Sequence, residues 1–413
     1  MAKNKKLIFV SSCIIVGLII WLMPPDDKEL EVINYSINKE TVIQSKYPGT
    51  SDKITFEQRV ITLTPNNASS DSTVFFVLGN EGIASKEALV HIYKSYNQPK
   101  DIIFMMAEHR GYGQSVTNEN QDIPDYVTVN NALLDYKKII DLKRTHYTGK
   151  WIIAGYSYGG SLAIAYADKY PDTFDVVLAS SAPIDWPLYI PQYAAKVKEN
   201  LPAKLLTRLH EHGQNLSLKP ENQKDVKRIE LLTSIIVGLS QSKVPESILT
   251  VISTLSYLST DLFLDALEKM SPAPAFDWVM ARTSDGAPAR AQERVWYTWM
   301  YQQCNELGTF FIGAPFVFTK QQYIDKCKQA FKREQHSLTQ TKWDISSQLN
   351  HINKPIIVVS GGKDPWINLG VKPGHNFKNI QYVYSKDWFH CPDLNNPDAA
   401  KQTFDLLLKS IES

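Results

Sequence analysis

Short, continuously apolar runs alternate with stretches of helical spacing along much of the chain. "STVFFVLG", "DIIFMMAE", "KWIIAGYS" and "FDVVLASS" are rich in β-branched and aromatic residues, as strands buried on both faces are. Ahead of them, "DKITFEQRVITLTP" reads as an extended opening segment. Between the second and third runs, "VTVNNALLDYKKIIDLKRTH" sets apolar residues at helical intervals, and "SLAIAYADKYP" does so again until Pro171 ends it. This β-α-β rhythm predicts a parallel sheet with helices on both faces.

The rhythm stops after "SSAPIDWPLY". From about Trp186 to Tyr297 the chain is mostly helix-like, through "PAKLLTRLHEHGQ", "VKRIELLTSIIVGLS" and "ESILTVISTLSYLSTDLFLDALEKM". Strand-like runs return with "KPIIVVSGG" and "NIQYVYS", and "PDAAKQTFDLLLKSI" reads as a closing helix. The returning strands need the earlier sheet for partners, so the expected organisation is one α/β sheet split by a helical cap. Its parts are an N-terminal segment over 1–27, the first part of the core over 28–185, the cap over 186–297 and the second part over 298–413.

Charge narrows the function classes. A formal net charge of +1 over 413 residues leaves no excess of positive charge to draw the protein to nucleic acid. At the start, Lys3, Lys5 and Lys6 precede "LIFVSSCIIVGLIIWLM", an apolar run over residues 7–23. A basic flank before such a run directs export, and its length reaches the short limit for spanning a bilayer. No small-residue cleavage site follows, so the expected state is a membrane anchor with the remaining chain on the periplasmic or extracellular face. A cleaved signal would make the protein secreted, and in a eukaryotic cell the destination would be the lysosome. Export permits a disulfide among Cys304, Cys327 and Cys391, with Cys304–Cys327 the expected pair. No cysteine has metal-ligand spacing with histidine, and neither a metal site nor a cofactor is expected.

The chemistry centres on "AGYSYGGSLA". Here G-x-S-x-G stands between an apolar strand run and a helical pattern, the context of a nucleophile elbow. Such an elbow exposes the Ser157 hydroxyl at a sheet edge and frees the next backbone N–H, that of Tyr158, to hold an oxyanion. A serine nucleophile needs a base oriented by a carboxylate, in the chain order Ser, acid, His. Asp364 follows "KPIIVVSGG" and His390 follows "NIQYVYS", so both occupy the demanded places. His375 precedes its strand, while Asp387 and Asp393 read as solvated loop residues. The second oxyanion donor is expected from the early loop "VLGNEG", at the N–H of Gly79 or Asn80. Glu81 in that loop would pair with a substrate's free amine or fix the loop.

Seven blocks, in order from Thr55 to the C-terminus, resemble the family of serine exopeptidases that contains lysosomal Pro-X carboxypeptidase and dipeptidyl peptidase II. They are "TFEQRV", "GNEG", "AEHRGYGQS", "GYSYGGSLA" with its following "KYP" and "ASSAPI", "YQQCNELG", "GGKDPW" and "HCPDL". The resemblance implies an α/β-hydrolase fold whose helical cap lies between the nucleophile half and the acid/base half. It also implies Ser157 as nucleophile, Asp364 as acid, His390 as base and cleavage after proline. Tyr156, Asn305 and Phe389 depart from the family's usual residues.

A pocket for proline must be apolar and shallow, because the ring offers no N–H, and Trp366 beside the acid is the first candidate wall. Trp299 and Tyr301 read as packing residues, and Glu108, His109 and Arg110 as a buried charged network. The expected function is therefore an exported serine exopeptidase acting on short peptides, working without cofactor. Two other readings remain open: an esterase or lipase with a helical lid, and an inactive surface protein that binds peptides. The oligomeric state is open too, a homodimer included.

Overall fold

A computed structural model of the protein describes residues 35–46, 55–116, 127–217, 222–270, 289–331, 343–374 and 377–412. The apolar segment 7–23 and His375 lie outside these residues. Among the described residues no helix is long and apolar enough to cross a membrane.

The apolar runs form the strands β3 (Thr73–Leu78), β4 (Ile102–Ala107), β5 (Trp151–Tyr156), β6 (Val176–Ser180), β9 (Ile356–Gly361) and β10 (Ile380–Ser385). All six run parallel in the spatial order β4-β3-β5-β6-β9-β10. β2 (Thr55–Pro65) pairs antiparallel with β4, and β1 (Tyr35–Lys46) pairs antiparallel with β2, which completes eight strands. β4, β5, β6 and β9 are buried at every position, because helices cover both faces and leave no wet side for a polar residue. A further short pair, β7 (Asp185–Trp186) with β8 (Trp343–Asp344), lies outside this sheet.

Helices α1 (Lys86–Ser95), α2 (Val129–Arg144) and α3 (Tyr158–Lys169) connect the first parallel strands. Ser85 and Thr128 cap the first two, each side-chain oxygen accepting a first-turn N–H that has no partner within the helix. α3 is buried from Tyr158 to Ala167 and packs on β5 and β6, so the segment after Ser157 is held along its whole length. After the insertion, α9 (Ala289–Gln302) runs through a wider turn at Gln303–Leu307, and α10 (Lys320–Phe331) follows. Cys304 and Cys327 are disulfide-bonded here, with Cα atoms 5.6 Å apart. α11 (Pro392–Asn395) and α12 (Pro397–Glu412) close the sheet unit.

α4 (Pro191–Asn200) lies with the sheet, where Tyr193 meets Trp366 edge-on at 5.0 Å and Asn200 Nδ2 donates to Lys363 O. A second, helical unit takes in, among the described residues, 201–217, 222–270 and 315–317. Its helices are α5 (Ala203–Gln214), α6 (Gln223–Gln241), α7 (Glu246–Leu255) and α8 (Thr260–Met270). The long run "ESILTVISTLSYLSTDLFLDALEKM" thus forms two helices. Ser256 ends the first, and its carbonyl then faces His212 Nε2 at 2.8 Å. Inside this unit Arg228 is almost fully buried yet reaches Asp261, Asp265 and Glu268.

Candidate active site

Ser157 sits between β5 and α3 with φ 55° and ψ −123°, a left-handed strain for a non-glycine residue. The tightness of this turn dictates its glycines. A Cβ on Gly155 would lie 1.9 Å from Gly159 O, and one on Gly159 would lie 3.0 Å from Leu78 O. The first contact is impossible, so Gly155 lets the strand and helix meet. Ser157 N–H donates to Ser180 O at 2.9 Å, which anchors the turn to β6. Tyr158 opens α3, so its N–H has no acceptor within the helix and leaves the turn free for a ligand.

Asp364 and His390 follow neighbouring parallel strands, β9 and β10, at the same sheet edge. His390 Nδ1 lies 2.9 Å from Asp364 Oδ2, and Trp366 N–H donates to Asp364 Oδ1 at 2.9 Å. A carboxylate accepts from Nδ1–H, so Nε2 is left as the basic nitrogen. Burial alone would keep His390 neutral. The Asp364 carboxylate, with Cys391 beside it, outweighs burial and raises the imidazole pKa well above the ordinary histidine value.

Backbone contacts lace the loop after β9 to the loop after β10. Gly362 N–H donates to Ser385 O and Lys363 N–H to Trp388 O, at 2.8 and 2.9 Å. At Gly361 a Cβ would meet Trp388 O at 2.2 Å and Phe389 O at 2.3 Å, so the missing side chain is what allows the two loops to touch. From the other side, Cys391 N–H donates to Ser181 Oγ at 2.8 Å. The strand end that holds Ser157 therefore also holds the residue after His390.

Asp393 overturns the expectation of a solvated loop residue. It is fully buried, accepts from Tyr96 OH at 2.6 Å, and takes a further hydrogen bond from Ser180 Oγ. Its partners lie far away in sequence, which is why local pattern gave no sign of them. Burial raises its pKa, against the hydroxyls of Ser180 and Tyr96.

Gly79 needs the second correction. Its N–H is already used, donating to Ala107 O at 2.8 Å, because the β3–β4 ladder runs one residue past the strand end. Of the two expected donors, this leaves Asn80, whose Cα and Cβ lie against Gly159 in the first turn of α3. The Asn80 side chain turns back to accept from Gly82 N–H at 3.1 Å, an Asx turn.

Glu81, next in the loop, is buried, and its Oε2 has no hydrogen-bond partner among the described residues. Burial pushes its pKa up to about 7, against a backbone hydrogen bond and the nearby His390. Trp366 is also buried, its ring 6.0 Å from Trp186 and 5.0 Å from Tyr193. Trp299 and Tyr301 are buried as well.

Beneath these residues lies a polar layer. Glu108 accepts from Ala84, Gln114 and Ser115 N–H and from Ser115 Oγ. Arg110 forks onto Asp135 with two 2.6 Å bonds. His109 is kept neutral by burial, its pKa lowered to about 3, and its Nδ1–H donates to Arg110 O. Sequence reasoning missed the next link, in which Tyr112 OH donates to Gln302 Oε1 and Gln302 Nε2 to Tyr158 OH. Gln302 lies inside "YQQCNELG", and only that block hinted at it.

The strand order and the serine elbow define an α/β-hydrolase. The family model of serine carboxypeptidase S28 matches residues 49–206 and 264–409, and the chain belongs to that family. Mouse lysosomal Pro-X carboxypeptidase is 32% identical over 155 residues, 34% of this chain and 30% of its own. Mouse thymus-specific serine protease is 29% identical over 141 residues, 32% of this chain and 28% of its own. The match thus spans under a third of the length of either relative. Among solved structures, VinJ is 13% identical with a TM-score of 0.48, over 90% of this chain and 98% of its own.

Proposed function

We propose that this S28 protein is an exported serine exopeptidase that hydrolyses short peptides after proline through an acyl-enzyme. The observation that carries the reading is the His390–Asp364 pair at 2.9 Å, at the sheet edge where the strained Ser157 turn emerges. In its neutral form His390 Nε2 takes the proton of Ser157 Oγ as that oxygen attacks the substrate carbonyl, and Asp364, which raises the imidazole pKa, stabilises the imidazolium formed. Tyr158 N–H and Asn80 N–H hold the developing oxyanion. His390 then gives the proton to the leaving amine, and water repeats the sequence to release the acyl group.

Proline preference is supported by the relatives named Pro-X carboxypeptidase and by the aromatic surroundings of Trp366. Glu81 is the acidic group available for a free peptide amine, since its Oε2 is buried without a partner among the described residues. Export is supported by the basic and apolar segment at residues 3–23.

The test compares wild type and Ser157→Ala on an Ala-Pro chromogenic peptide and on an acyl ester. Turnover of the peptide, lost in the variant together with fluorophosphonate labelling, is the expected result. Unchanged turnover in Ser157→Ala removes the nucleophile, and turnover of the ester alone replaces the peptidase by an esterase.

A further inference from the structure

The Gly79–Asn80 peptide is gripped from a direction that no active-site motif supplies. The hydroxyl of Tyr136, on α2, donates to Gly79 O at 2.9 Å, with both groups buried. A trans peptide is planar, so its carbonyl and the next N–H point in opposite directions. Whatever fixes Gly79 O therefore fixes the heading of Asn80 N–H.

Three further contacts remove the remaining freedom. Gly79 N–H is bound to Ala107 O, the Asn80 side chain is turned onto Gly82 N–H, and the Asn80 backbone abuts Gly159. Tyr136 is itself packed in the core, with no exposed surface and its ring edge-on to His109 at 6.4 Å. Burial, with Asp135 and Glu108 nearby, raises its pKa well above the ordinary tyrosine value, so the hydroxyl keeps its proton and remains a donor.

We propose that Tyr136 is a positioning residue for the oxyanion hole, its hydroxyl setting the plane of the Gly79–Asn80 peptide so that Asn80 N–H converges with Tyr158 N–H. The inference rests on the proposed peptidase reading. It concerns a helix residue outside every sequence block that pointed to the site. Without the hydroxyl, Gly79 O loses its partner and the peptide plane can tilt within the contacts that remain, which weakens one oxyanion donor while leaving the rest of the site unchanged.

The experiment is Tyr136→Phe in the full chain, assayed beside Ser157→Ala on the Ala-Pro peptide. The expected result is a kcat lower by about 10- to 100-fold with KM within about twofold, since loss of one oxyanion donor acts on the transition state. The affinity of a peptidyl boronic acid, which forms the tetrahedral adduct, should fall by the same factor. A purely structural role predicts a lower melting temperature with kcat and boronate affinity intact, and that result overturns the proposal. Should Tyr136→Phe not fold, an amide-to-ester replacement that deletes Asn80 N–H gives the second reading, with the same loss in kcat expected and an unchanged kcat overturning it. Activity retained in Ser157→Ala brings down the peptidase reading and this inference together. An inactive Ser157→Ala beside a fully active Tyr136→Phe removes this inference alone.

Discussion

The Tyr96 phenol donates to Asp393 Oδ2 across 2.6 Å, joining residues 297 positions apart in one buried contact. Ser180 holds the other carboxylate oxygen, and Ser180 O receives Ser157 N–H, so one acidic side chain ties the loop after His390 to the elbow. Asp393→Ala leaves the buried Ser180 hydroxyl without this acceptor and Tyr96 OH with the Tyr156 hydroxyl at 3.1 Å. An orphaned buried group costs about 1–3 kcal/mol, so a loss of at least about 1–3 kcal/mol is expected in urea unfolding, with turnover of the folded fraction also reduced. An unfolding free energy within about 0.5 kcal/mol of wild type would show that the contact does not hold the loop.

Gly361→Ala places a methyl group 2.2 Å from Trp388 O, and backbone rather than a flexible side chain must yield. Separation of the acid and base loops is expected to lower kcat by at least about 10-fold, since misplacement by an ångström at a reacting group costs up to about 100-fold. Steady-state kinetics on the Ala-Pro peptide measures it. Wild-type kcat in this variant would mean that the loops need not touch.

Stability should fall as pH rises across the range in which buried carboxyl groups ionise. Burial pushes Glu81, Glu108 and Glu306 each to about 7 from 4.5. Between these values the folded state holds protons that the unfolded state has released, so the stabilisation is complete below about 4.5 and is lost as pH rises through about 7. His109, lowered to about 3, acts in the opposite sense between that value and 6.5. Glu306→Gln isolates one carboxyl: its unfolding free energy should fall less than that of wild type between pH 5 and pH 8, by an amount of order 3 kcal/mol at most. Parallel curves for the two proteins would contradict the assignment.

Reduction of Cys304–Cys327 opens a loop with a sequence separation of 23, for which chain entropy gives about 3 kcal/mol of lost stability. Thermal melts with and without dithiothreitol should differ by several degrees. A Cys304→Ser/Cys327→Ser variant should match the reduced protein and be insensitive to reductant.

The parallel sheet was legible because its strands are buried on both faces, which leaves uninterrupted apolar runs such as "KWIIAGYS". β1 lacks that signature: "YSINKETVIQSK" is largely polar, and its pairing with β2 depends on register. The three residues of the proposed triad follow their strands as the elbow context demands. The proposed oxyanion loop was legible only to within one residue, since whether Gly79 or Asn80 has a spare N–H depends on where the β3–β4 ladder ends. Asp393 misled for a similar reason, because residues 297 and 213 positions away create its burial. Local pattern reports periodicity and turn chemistry well, but does not report which distant side chain closes a hydrogen bond.

The 213 residues separating Ser180 from Asp393 also set an order of events during synthesis. The elbow strand leaves the ribosome first, and β9 and β10 can dock beside β6 only after the whole helical insertion has been translated. On the proposed mechanism, the nascent polypeptide carries its nucleophile for most of its elongation without the imidazole that would activate it. Proteolytic competence would therefore arrive only with completion of the sheet.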